Sequence, residues 1–176
     1  MPRVFPDQQK KFESEEVFKK LSQDSDIKYT GFKDKPHDER RQRFIQDLSE
    51  GHSILTFVST GTNLTLLFCS KALSDDRTAE HKPSRENVDF ESELGKVHLS
   101  SRFIMNGVCV KWIGWVDLET LTGKAKLVFD DQNAKIEDEV MRQVMKETQE
   151  RVRLFEESQR KWQEQRQPHS PSEMAS

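Results

Sequence analysis

Two short knots between apolar runs constrain this chain more than any other feature. Phe57 to Phe68 reads as two runs, rich in β-branched and aromatic residues, around Thr60-Gly61-Thr62-Asn63. Phe103 to Leu118 repeats the arrangement around Asn106-Gly107. Asn and Gly both tolerate φ > 0, which a two-residue hairpin turn demands and β-branched residues refuse. Each stretch is therefore read as two antiparallel strands and their bend. With two hairpins in so short a chain, a meandering sheet is the expected core, and the remainder covers it, closes it or trails from it.

In chain order, Asp7 stands where a helix cap belongs, and Phe12, Val17, Phe18 and Leu21 form one apolar stripe facing the sheet. Ile27 to Phe32 is a short alternating strand. Asp34 and Pro36 start a second helix, buried along Phe44, Ile45 and Leu48 and stopped at Gly51. Arg40 to Arg43, the most basic run in the domain, reads as a solvated helix face. In the first hairpin Ile54, Thr56 and Val58 alternate with Leu55, Phe57 and Ser59; Leu64, Leu66 and Phe68 alternate with Thr65, Leu67 and Cys69. In each strand the first set reads as interior. The second is still partly apolar, so that face needs a helix or a partner over it.

Residues 70–94 lose all periodicity apart from a short element near Val88-Asp-Phe90, and no site is placed there. Alternation resumes at Lys96 and leads into the second hairpin, where Val108, Val110, Trp112, Val116 and Leu118 share one face. Gly114 between two tryptophans marks a bend of the kind that closes a barrel. Ala125 to Phe129 is the last strand. The fold expected is α+β: a six-stranded antiparallel, partly open β-barrel packed by N-terminal helices, with a long C-terminal helix. That helix runs from Asp130 to about Gln167 with no Gly or Pro inside it. Ile136 and Val140 are placed to dock on the barrel, and Met141, Met145, Thr148, Val152, Phe155, Gln159 and Trp162 form a weak heptad seam. The domains are thus a barrel over 1–138, a charged helical extension over 139–167 and a disordered polar tail over 168–176.

Charge and chemistry narrow the function. Charged residues reach 34% against 33% hydrophobic, so part of the chain is solvated helix or tail. The formal net charge is −3, the wrong sign for a stand-alone DNA binder that must neutralise phosphates. Cys69 and Cys109, both inside expected strands, read as buried free thiols of a reducing compartment. No apolar run is long enough to span a bilayer, and the N-terminal segment lacks a signal-peptide core. His37, His52, His81, His98 and His169 show no metal-ligand spacing with Cys or acidic residues, and no nucleophile elbow or phosphate-cradling loop occurs. The expectation is a protein that is not an enzyme, has no cofactor or metal, and touches no membrane.

Several ordered segments resemble the core-binding factor beta subunit family. They are Met1-Pro-Arg-Val, Phe12-Glu13, Ile27 to Phe32, Gly61 to Leu64, Pro83 to Glu86, Gly95-Lys-Val97, Asn106 to Val110 and Gly114-Trp115. The match keeps near-constant register from Met1 to about Asp131 and fades through the charged helix. The resemblance implies a non-DNA-binding subunit that heterodimerises with a Runt-domain transcription factor and raises its DNA affinity and stability. It implies an interface at Gly61, Asn63 and Leu64 on the first hairpin and Met105 and Asn106 on the second, edged by Arg3 and Thr30. Leu67 belongs to the same surface but stands where the family carries a polar glutamine. Without a nuclear-import cluster, the protein is expected in nucleus and cytoplasm, with import depending on the partner. Two other classes are weighed: a single-stranded nucleic-acid-binding barrel stacking bases on Phe57, Trp112 and Trp115, and a helical adaptor acting through the seam over 141–162.

Overall fold

The computed structural model describes residues 3–68 and 86–166, and among these seven strands form one antiparallel sheet. They are β1 (Ser25–Tyr29), β2 (His52–Phe57), β3 (Thr62–Leu67), β4 (Val88–Asp89), β5 (Lys96–Met105), β6 (Val108–Asp117) and β7 (Thr122–Phe129), ordered β3-β2-β1-β7-β6-β5-β4. The helices are α1 (Gln8–Ser14), α2 (Glu16–Leu21), α3 (His37–Glu50) and α4 (Asp131–Arg166). The α+β class holds, with seven strands in place of six because Val88–Asp89 pairs with Leu99 and His98. Cys69 and the run to Arg85 lie outside the described residues, as does the tail from Gln167.

The sheet curls into a half-barrel, and Gly114 shows why it can. A Cβ there would sit 2.6 Å from the Ala125 Cβ and 2.7 Å from the Lys124 carbonyl. Only a residue without a side chain lets β6 and β7 approach so closely over the fully buried Trp112. The curl brings β3 back towards β5, where the Ser101 hydroxyl donates to the Leu67 carbonyl at 2.6 Å. Phe18, Leu21, Phe44, Leu48, Leu55, Phe57, Leu66 and Phe68 fill the concave side with Trp112. Cys109 is buried.

Four local expectations are corrected. The N-terminal helix is two helices, because Glu15 adopts an extended ψ of 135° between them; Asp7 still caps the first by accepting from the Lys10 amide. In β2 the interior set is Leu55 and Phe57, whereas Ile54 and Val58 are 42% and 50% exposed. Pairing decides the phase: Leu55 faces Leu64 and Ser53 faces Leu66, so β2 and β3 bury one shared set. Ile45 is exposed, lying a step off the Phe44–Leu48 line. Arg40 and Arg41 are not solvated spokes: Arg40 donates to the Tyr29 and Gly31 carbonyls at 2.7 and 3.1 Å, and Arg41 to Leu118 at 3.0 Å.

Tyr29, buried beneath Arg40, carries a pH-dependent part of this packing. Burial first, and then the Asp47 carboxylate that its hydroxyl meets at 3.4 Å, push its pKa up to about 12 from 10.0. A raised folded-state pKa stabilises the fold fully below pH 10, and that contribution is lost as pH climbs through 12. Denaturant unfolding between pH 10 and 12 should therefore fall more steeply for the natural protein than for Tyr29→Phe. Equal slopes would exclude the phenol as the cause.

The chain divides after Lys135 into two compact units. In the second, α4 continues with ion pairs such as Arg153 with Glu150 and Glu157 at 2.7 and 3.6 Å. In that unit Ile136 and Val140 are 55% and 53% exposed. Val144, Met145, Val152, Phe155 and Trp162 are also exposed.

Candidate partner-binding surface

Both bends lie at one end of the sheet. In an antiparallel sheet of this order β2 and β5 run in the same direction, so Phe57 and Met105 finish at the same edge. The seam brings the bends closer than the sheet order alone implies. From the Ser101–Leu67 tie, four residues forward along β5 reach Met105, and four back along β3 reach Asn63.

The first bend is polar and open. Gly61 has φ +66°, and a Cβ built there meets nothing within 4 Å. Behind it Thr56 pairs with Asn63 across β2 and β3, and its hydroxyl donates to the Asn63 side-chain oxygen. The same hydroxyl lies 3.4 Å from that of Thr30. Thr56 thus joins the two predicted residues, Asn63 and Thr30, through one hydroxyl. Leu67 is exposed on this outer face, as are Ile54 and Val58. Leu64 sits on the opposite face, half-buried against the core, and offers the surface its backbone.

The second bend is held from the N-terminal side. Asn106 and Gly107 take φ of 50° and 76°, both left-handed, as a two-residue turn requires. The Phe5 amide donates to the Gly107 carbonyl at 2.9 Å, which sets exposed Arg3 two residues from this contact. Met105 is partly buried and Asn106 exposed. Of the eight predicted residues, Gly61, Asn63, Leu64 and Thr30 group by the first bend and Met105, Asn106 and Arg3 by the second, whereas Leu67 lies at the far end of β3, at the seam with Ser101.

Thr56, Phe5, Lys11 and Gln8 also shape this surface and were not anticipated. A four-residue bend closing Phe57 on Thr62 would have paired Thr56 with Asn63 by counting. Nothing in the sequence marks Lys11, whose role depends on a contact 95 residues away.

Other chemistry is thin. Phe57 and Trp112 are 1% and 0% exposed, and Lys96 Nζ sits 4.2 Å over the Trp115 ring, so the base-stacking platform is contradicted. The reading of the histidines needs one amendment: Asp47, Glu50 and His52 each bring a ligand atom within 4.8 Å of the others. Their own bonds, His52 to Glu50 at 3.1 Å and Asp47 to Tyr29 at 3.4 Å, account for the cluster as surface polar contacts. No helix among the described residues is long and apolar enough to cross a membrane.

The class this defines is an α+β half-barrel that presents two adjoining polar bends beside an exposed apolar strip. Comparison with known proteins gives this class a family. The model of the core binding factor beta subunit matches residues 1–170, and the chain belongs to that family. It is 49% identical to Protein brother of Drosophila melanogaster over 140 residues, covering 78% of this chain and 62% of the relative. It is 43% identical to Protein big brother of the same organism over 169 residues, 95% of this chain and 75% of the relative. The family is one of transcription cofactors.

Proposed function

We propose that the edge carrying both bends seats a Runt-domain transcription factor, and that this chain raises the factor's affinity for DNA without touching DNA itself. The observation that carries the reading is the gathering of Gly61, Asn63, Thr30, Met105, Asn106 and Arg3 at one edge of a sheet whose family binds as a subunit. The physics is linkage. A subunit that binds only the DNA-competent conformation of its partner increases that conformation's population. A tenfold gain in DNA affinity requires only about 1.4 kcal/mol of differential binding, and the same preference protects the partner from unfolding. A net charge of −3 suits a subunit lying near DNA without gripping its phosphates. Import into the nucleus would then follow the partner, with a cytoplasmic pool when the partner is scarce.

The deciding experiment is a titration of a Runt domain on its cognate duplex with and without this protein. Tighter binding at saturating protein supports the reading; superimposable curves overturn it. Within the surface, Asn106→Ala should weaken association with the Runt domain by about 1–3 kcal/mol, roughly 5- to 150-fold, with the protein still folded and its melting lowered only by the strain of Ala at φ 50°. Calorimetry showing full affinity would remove Asn106 from the interface. Truncation after Asp138 tests the adaptor alternative, because binding that survives it does not depend on the seam over 141–162.

A further inference from the structure

The structure points to a latch: we infer that Lys11 and Phe5 hold the Asn106-Gly107 bend in the shape a partner binds, making Lys11 a positioning residue for that surface. The inference rests on the partner-binding reading above and deepens it.

A non-glycine residue at φ 50° is intrinsically disfavoured, and Asn106 is exposed at the tip of a two-residue turn. Left alone, such a tip samples other conformations, and a partner loses affinity in proportion to the competent fraction. Here the backbone is fastened instead. Lys11 Nζ donates to the Asn106 carbonyl at 2.7 Å and lies 3.2 Å above the centre of the Phe5 ring. That ring rests on the face of Gly107 where a Cβ would otherwise stand, at 2.8 Å from its nearer Cε carbon. The Phe5 amide donates to the Gly107 carbonyl at 2.9 Å. Below the tip, Gln8, 2% exposed, accepts from the Cys109 amide at 2.8 Å and donates to the Ala134 carbonyl at 3.3 Å. One short segment, Phe5 to Lys11, thus holds the hairpin at residues 106, 107 and 109.

The ammonium has two electrostatic partners on its own chain besides the carbonyl, the Phe5 ring face and Glu15 at 3.5 Å. Its side chain is only 18% exposed, so it is committed inward and not offered to a partner. Arg3 stands two residues before the Phe5 amide that fastens the bend.

The test uses the full chain with Lys11→Met, which keeps the aliphatic stem over the ring and removes the donor. Affinity for a Runt domain should fall about tenfold and amide exchange over residues 106–108 should quicken by a similar factor, while the melting temperature stays within about 2 °C. Lys11→Arg should restore most of both, and Phe5→Leu should shift both in the same direction as Lys11→Met. Unchanged exchange, or faster exchange with full affinity, overturns the latch. If Asn106→Ala still weakens binding in that case, the surface stands and only the latch falls. If neither Asn106→Ala nor Lys11→Met affects binding, the surface reading fails and the latch with it.

Discussion

Trp112→Ala should lower unfolding stability by about 3–5 kcal/mol and the melting temperature by about 10 °C or more. Trp112 is 0% exposed, and its ring lies under Gly114, whose missing side chain lets β6 and β7 close over it. Removing the indole leaves a cavity that this wall cannot refill, because the neighbouring backbone is already at contact distance. Chemical denaturation monitored by circular dichroism measures the loss. Trp112 is fully buried and belongs to neither bend, so whatever fraction remains folded should still bind a partner. A loss under 1 kcal/mol would mean that the half-barrel does not depend on this packing.

What the sequence revealed follows from how local each determinant is. Asn106-Gly107 announces its turn because the two residues themselves supply the left-handed backbone. Gly51 does the same for the end of α3, at φ 92°. Gly114 between tryptophans signals a close approach without saying which strand approaches. The phase of β2 was not legible, because Ile54 and Val58 are as apolar as Leu55 and Phe57; only the register against Leu64 and Leu66 separates them. The break at Glu15 has no Gly or Pro to mark it, and β4 has only two residues, too few for a period. At the candidate surface the exposed residues were found through resemblance. Their supports, Thr56, Gln8 and Lys11, were not, because each works through a partner distant in the chain.

Gly61→Val should separate folding from recognition more sharply than any other substitution. Its φ of +66° disfavours a β-branched residue, so a stability cost of about 1–2 kcal/mol is expected. Among the described residues, none beyond its chain neighbours lies within 4 Å of the added Cβ, so the cost inside the molecule is backbone strain and not a packing clash. The space it would occupy is open, and a partner seated across both bends must fill it. Affinity for a Runt domain should therefore fall at least about 100-fold, equivalent to roughly 2.7 kcal/mol, beyond what the fold itself loses. Gly61→Asn removes the ambiguity of strain, since Asn tolerates the left-handed region and still projects a side chain. It should melt close to the natural protein and still bind poorly. Natural affinity in both variants would show that Gly61 serves only its turn, and the partner would then have to seat elsewhere on the half-barrel.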